Sequence, residues 1–166
     1  MTLLARRSLA ALALAAATAL SACGDDDVAG PSLERFRATL AGNEEVPPNS
    51  STATGSAEFT LSKGGDTLYV NINVNALANI RFGHFHTGAR GANGPVVTDL
   101  VLAPTLVGPQ SGRIGRQFVT AGNLVGALAG QPLSALITQI KAGTIYVNLH
   151  TDAFPGGELR GQVAVQ

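Results

Sequence analysis

Hydrophobic and polar residues alternate along most of this chain, and the alternation predicts β-strands. In the clearest run, 68–75, apolar residues occupy every even position, and Tyr or Asn occupies every odd position. Successive side chains of a strand point to opposite faces of a sheet, so this run predicts one buried and one solvated face. Similar runs predict strands at 35–40, 57–61, 80–86, 96–102, 114–119, 145–150 and 159–165.

Turn residues separate the predicted strands, and one segment has helical periodicity instead. The sequence Lys63-Gly64-Gly65-Asp66 predicts a hairpin turn between two strands. In segment 133–140, Leu and Ile recur with the i, i+3, i+4, i+7 spacing of a helix with one apolar face, and Gly143 would end that helix. About eight short strands and one helix predict an all-β fold, most simply a single antiparallel β-sandwich of the Greek-key type.

The N-terminal residues have the layout of a secretory signal. Arg6 and Arg7 precede an apolar run at 8–20, which is shorter than the ~20 apolar residues that span a bilayer. The run ends in Leu20-Ser21-Ala22-Cys23, which matches the bacterial lipobox at all four positions. We therefore predict a lipoprotein signal peptide at 1–22, a lipidated Cys23 with a flexible tether to residue 32, and one folded domain at 33–166. An ordinary signal peptide with a chance cysteine is the alternative.

Lipidation would place the domain in the bacterial cell envelope, outside the cytoplasm. Gly24 follows Cys23, so the Asp expected of inner-membrane retention in enteric bacteria is absent, which favours the outer membrane if the cell is Gram-negative. Cys23 is the only cysteine, so its lipidation would leave no thiol for a disulfide. Cleavage would also remove Arg6 and Arg7 and leave nine basic against eleven acidic residues, which argues against a nucleic-acid partner.

All three histidines lie in two short motifs that end in glycine-rich loops. The first motif is His84-Phe85-His86 followed by Gly94-Pro95-Val96-Val97, and the second is Val147-Asn148-Leu149-His150-Thr151 followed by Pro155-Gly156-Gly157-Glu158-Leu159-Arg160-Gly161. Together with an opening segment, Leu40-Ala41-Gly42-Asn43-Glu44-Glu45-Val46-Pro47-Pro48, these motifs resemble the CHRD domain family in order, from Phe36 to Val165. The resemblance implies a β-sandwich domain with an extracellular binding or structural role, and it brings no catalytic residues.

The histidines also suggest a metal site. His84 and His86 lie two residues apart and would share a strand face, and His150 could complete a three-histidine site with an open position, suited to copper or zinc. Strand parity predicts the opposite: the pair would face inward with Ile80 and Phe82, and His150 outward, unless a bulge at Gly83 re-aims a strand. As the alternative to metal binding, the three rings would donate hydrogen bonds to carbonyls of the glycine-rich loops.

Other candidate residues have structural interpretations first. The loop glycines are predicted to supply positive φ or close backbone approach: Gly88, Gly91, Gly94, Gly156 and Gly157, beside Pro95 and Pro155. Glu158 and Arg160 share a strand face and predict an ion pair or a hydrogen-bonded corner. The polar face at Tyr69, Asn71, Asn73 and Asn75 is either an ordinary solvated face or a surface that binds glycans or peptides.

These patterns favour a lipid-anchored, non-enzymatic CHRD domain with a binding or structural role. Its expected partners are the membrane, through the lipid, and an extracytoplasmic protein or glycan. The alternative is a metal-handling domain in which His84, His86 and His150 bind copper or zinc, the only cofactors that the sequence suggests. A copper-type redox enzyme is the third interpretation, and no Ser/His/Asp or Cys/His arrangement indicates another catalytic site.

Overall fold

The computed structural model describes residues 33–100 and 106–166, apart from the side chain of Arg116. The described strands are β1 (Arg35–Ala41), β2 (Thr54–Leu61), β3 (Leu68–Thr87), β4 (Val96–Leu100), β5 (Leu106–Val119), β6 (Ile145–Thr151), β7 (Leu159–Gln162) and β8 (Ala164–Val165), with one α-helix, α1 (Leu133–Lys141). The predicted signal peptide, the tether with Cys23, and positions 101–102 of one predicted strand lie outside the described residues. Among the described residues, no helix combines the length and hydropathy needed to cross a bilayer.

The all-β, antiparallel prediction with one short helix is confirmed, but the strands form a ring rather than two separate sheets. Hydrogen-bonded neighbours run β2-β1-β7-β6-β3, and β3 pairs again with β2, which closes a barrel. Strand β5 also pairs with residues 68–80 of β3 and β4 with residues 83–86 of β3, and β8 pairs with β1. The structure is therefore a barrel with additional strands, where the sequence predicted a sandwich.

The length of β3 explains this closure. The two strands predicted at 68–75 and 80–86 are one continuous strand, whose first half pairs with β2 and whose second half pairs with β6. Between the halves, Ala76 and Asn79 have φ values of 56° and 51°, in the left-handed region that L residues rarely adopt. The Asn79 side chain accepts a hydrogen bond from the Gly108 amide at 2.8 Å. The pairing with β5 shifts register around both positions, and beyond them β3 pairs with β6 instead of β2.

The predicted alternation decides which side chains fill the barrel. Leu68, Val70 and Ile72 are at most 2% exposed, whereas Tyr69 is 50% exposed. Fully burying one such aliphatic side chain stabilises the fold by roughly 1.5–3 kcal/mol. Helix α1 lies where it was predicted and adds Leu133, Leu136, Ile137 and Ile140 to the same core. This packing holds β3 and β6 side by side, so that their outer faces can carry polar side chains at fixed spacing.

Candidate metal centre

A bulge in β3 turns both histidines of this strand, His84 and His86, outward. Ile80 is 2% exposed and Phe82 is 61% exposed, and the pairing with β6 shifts register between them. After this shift Phe85 is fully buried, and His84 and His86 lie on the outer face with Phe82. The prediction that His84 and His86 face inward is therefore wrong, because the bulge adds one residue to β3 before them and so reverses which side chains face the interior. The bulge lies between Ile80 and Phe82 rather than at Gly83.

The three histidines converge on this outer face. In the β3–β6 pairing, Phe82 lies opposite His150 and His84 lies opposite Asn148, so His150 is a diagonal neighbour of His84. One ring nitrogen from each histidine lies within 4.8 Å of the other two. The closest contact joins His84 Nδ1 and His150 Nε2 at 3.1 Å. The structure thus brings together the set of residues that strand parity had separated.

The second ring nitrogen of two of these histidines is held by the backbone. His86 Nδ1 donates to the Gly94 carbonyl and His150 Nδ1 donates to the Pro155 carbonyl, both at 2.9 Å. A carbonyl can only accept, so both Nδ1 atoms carry the proton and both Nε2 atoms present a lone pair. His86 Nε2 is buried without a hydrogen-bond partner among the described residues. The predicted bonds to loop carbonyls therefore occur at two histidines and direct both Nε2 lone pairs toward the cluster, where His150 Nε2 accepts a hydrogen bond from His84 Nδ1.

Burial favours the neutral, metal-binding form of His84 and His86. Desolvation lowers the pKa of His86, and the hydrogen bond to Gly94 offsets this only in part. Desolvation also lowers the pKa of His84, and the neighbouring His150 and His86 lower it further. A metal ion binds neutral imidazole, so lowered pKa values favour the ligating state at neutral pH.

A stack of side chains supports His86 from β6 and β7. The His86 ring lies parallel to Tyr146, with centroids 4.9 Å apart, and the guanidinium carbon of Arg160 lies 3.5 Å from the Tyr146 ring centroid. Arg160 is 2% exposed and donates to Asn93 Oδ1 at 2.9 Å and to the Ala92 carbonyl at 2.7 Å. These bonds tie down the loop whose Gly94 carbonyl orients His86.

Two of the acidic residues near the centre are engaged elsewhere. Glu158 accepts hydrogen bonds from Ser51 Oγ at 2.6 Å and from Thr151 Oγ1, and Arg160 donates to the 88–95 loop instead, so the predicted ion pair between them does not form. Asp152 pairs instead with Arg81. Neither carboxylate belongs to the histidine group.

Glu45 is a buried acid that the sequence did not single out as a site residue. Its side chain accepts two hydrogen bonds from Asn148 Nδ2, at 2.9 and 3.0 Å, and the residue is only 6% exposed. Burial raises the pKa of Glu45 to about 7, although the Arg160 charge and the Asn148 hydrogen bond act in the opposite direction. It lies in a loop without periodicity, and no sequence signal marks it as buried.

Close approach or a positive φ explains four of the five loop glycines. A Cβ at Gly94 would lie 1.6 Å from the Thr87 carbonyl oxygen, and Gly157, at φ +129°, would place a Cβ 2.5 Å from Asn148 Nδ2. The predicted reasons hold at Gly88, Gly91, Gly94 and Gly157. They fail at Gly156, which has neither a positive φ nor any atom within 4 Å of a built Cβ.

Comparisons with known proteins support one relationship. The family model of the CHRD domain matches residues 36–163, a span that contains all three histidines, Glu45 and Arg160. Searches among curated proteins and among solved structures found no match.

Proposed function

This chain belongs to the CHRD domain family, and we propose that it binds one divalent transition metal through His84, His86 and His150. The observation that carries the proposal is the convergence of three ring nitrogens, two of them on rings already oriented by backbone carbonyls. Metal-bound histidines almost always donate their other N–H in this way. The arrangement therefore supplies both the ligands and the groups that orient them.

The spacing of the nitrogens fits a metal of ordinary bond length. Zinc–nitrogen bonds of ~2.0–2.1 Å place tetrahedral ligand atoms roughly 3.3 Å apart. The 3.1 Å between His84 Nδ1 and His150 Nε2 already matches this spacing. No two of the converging atoms lie more than 4.8 Å apart, so small side-chain adjustments on metal binding would bring them to this spacing. Nitrogen ligands suit zinc and copper(II), and the only sulfur-containing residues, Met1 and Cys23, precede the domain.

The role we propose is metal binding or handling rather than catalysis. CHRD is not a known enzyme family. A domain that holds a metal on its outer face and is tethered outside the cytoplasm would store the ion or pass it to another protein. The support for this role is the site geometry together with the family's lack of assigned catalytic residues.

Metal analysis tests the proposal directly. We expect protein purified without a polyhistidine tag to bind one zinc or copper ion per chain, measured by mass spectrometry of the metal after dialysis. His86→Gln should abolish stoichiometric loading, because it replaces the buried Nε2 ligand. Asn73→Ala, in the first half of β3, serves as a control that should load fully. A native protein that retains neither metal, or a His86→Gln variant that loads normally, would refute the site.

We also propose that Cys23 carries the lipid that places this domain on the cell envelope. The lipobox sequence supports this, with the short apolar run before it. Two or three acyl chains anchor a protein stably, whereas one chain binds only marginally. Cys23→Ser should prevent incorporation of labelled palmitate and move the protein from the membrane fraction to the soluble fraction. Equal palmitate labelling of native and variant protein would contradict the proposal.

A second candidate role is the binding of a glycan or protein partner on the outer face of β3 and β5. Tyr69 is 50% exposed and Phe118 63% exposed, and their rings meet edge to face with centroids 6.1 Å apart. Exposed aromatic pairs are common in binding surfaces because they bury much area with few rotatable bonds. Replacing both rings by Ala should abolish sedimentation with purified cell-wall glycan while metal loading stays unchanged. Unchanged sedimentation would rule out this surface.

A further inference from the structure

Asp99 lies beside the histidine cluster, next to the His84 ring nitrogen that does not contact His150. It sits on β4, directly opposite His84 in the β3–β4 pairing. Its Oδ1 lies 3.7 Å from His84 Nε2, and its side chain is 73% exposed. The other nitrogen of the same ring, Nδ1, lies 3.1 Å from His150 Nε2. His84 therefore directs Nδ1 toward the cluster and Nε2 toward a carboxylate.

With Asp99 included, each histidine of the cluster has an oxygen on its outer side, at hydrogen-bond distance for His86 and His150 and at 3.7 Å for His84. One nitrogen faces the other histidines, and the second faces an oxygen: the Gly94 carbonyl for His86, the Pro155 carbonyl for His150 and the Asp99 carboxylate for His84. An oxygen acceptor on the outer nitrogen fixes the tautomer and raises the basicity of the ligating nitrogen. For Nδ1 of His84 to bind a metal, the ring proton must move to Nε2, where the Asp99 carboxylate would supply what the backbone supplies for the other two rings.

We infer that Asp99 positions His84 without binding the metal, so that the metal keeps a fourth position open to a small exogenous ligand such as water or an anion. This inference rests on the proposed metal site. Within residues 33–100 and 106–166, the three histidines form the only group of three or more candidate ligands. The nearby carboxylates of Glu45, Glu158 and Asp152 are bound to Asn148, Thr151 and Arg81 respectively.

Solvent can reach the cluster on the His84 side. The His84 side chain is 20% exposed, and the neighbouring Phe82, 61% exposed, stacks beside it with centroids 6.2 Å apart. His86, by contrast, has its free nitrogen buried. Three protein ligands with a fourth position open to water or substrate is the arrangement of catalytic zinc sites, whereas structural sites are closed by four protein ligands. An open position lets an incoming ligand attach before the histidines release the ion, as transfer between proteins requires.

Cobalt(II) provides the test, because its visible spectrum reports coordination. We expect native protein to bind Co(II) and its visible bands to shift saturably when azide is added. Asp99→Asn should weaken Co(II) binding about 10-fold, in the range typical of lost outer-shell partners, and should keep the azide response. Asp66→Asn removes the same charge at the opposite end of β3 and should match the native protein in both measurements. Thermal unfolding of each variant checks that the fold is intact.

Two results would overturn the inference while leaving the metal site in place. If Asp99 is the fourth ligand, native Co(II) protein will not respond to azide and Asp99→Asn will acquire a response. If Asp99→Asn binds Co(II) as tightly as native protein, Asp99 does not position His84. Failure of the proposed function looks different: native protein would then bind no Co(II), or His86→Gln would bind it equally well.

Discussion

Glu45 should make this protein less stable as the pH rises through neutrality. The folded state raises the pKa of Glu45 from 4.5 to about 7, chiefly because the side chain is buried. Between these two values the folded chain binds a proton that the unfolded chain has lost. Stability falls with pH wherever the folded state binds more protons, so the contribution of Glu45 is present below pH 4.5 and is lost as the pH rises to about 7.

The size of the effect follows from the shift. One pKa unit corresponds to ~1.36 kcal/mol, so moving from pH 5 to pH 8 should lower the free energy of unfolding by on the order of 2–3 kcal/mol through Glu45. His84 and His86 act in the opposite direction, because their lowered pKa values make the fold less stable as the pH falls below 6.5. The raw stability curve is therefore a sum of opposing terms.

Glu45→Gln separates these contributions. The glutamine side chain has nearly the same shape, can still accept from Asn148, and cannot ionise. We would measure urea unfolding of native protein and variant at pH 5, 6, 7 and 8 with a metal chelator present. The variant should gain about 2–3 kcal/mol relative to native protein between pH 5 and pH 8. A difference between the two proteins that does not change with pH would refute the argument that Glu45 is held protonated.

Two further predictions concern the loops around the histidines. Gly94→Ala should lower the free energy of unfolding by about 3 kcal/mol or more, because its Cβ would lie 1.6 Å from the Thr87 carbonyl oxygen. Gly156→Ala, where no atom approaches, should change the free energy of unfolding by less than about 0.5 kcal/mol. Urea unfolding of the two variants measures the difference, and equal effects would contradict the close approach at Gly94. Arg160→Met should lower the free energy of unfolding by about 3 kcal/mol and weaken metal binding. The substitution leaves carbonyl acceptors of the 88–95 loop unpaired and removes the cation over the Tyr146 ring. Isothermal calorimetry with zinc measures the affinity, and an unchanged affinity would contradict this prediction.

The sequence determined the local structure of this protein wherever apolar residues recur with the period of a strand or a helix. The alternation at 68–74 predicted which side chains fill the barrel, and the 3.6-residue spacing at 133–140 predicted α1 and its buried face. These predictions hold because a strand or a helix repeats its geometry, so one well-patterned segment determines where its own side chains point. The three-part CHRD resemblance likewise needed only short segments in the right order, and the family match over 36–163 confirms it.

Only the tertiary structure decided how these elements close and which side chains meet. Closure into a barrel depends on β3 pairing with β2 along its first half and with β6 along its second half, and the positive φ values of Ala76 and Asn79 between the halves are ones that neither residue type requires. The histidine cluster depends on one extra residue between Ile80 and Phe82, which reverses strand parity and turns His84 toward His150. A bulge is selected by the fit between paired strands rather than by the residues that form it, so local pattern cannot specify it.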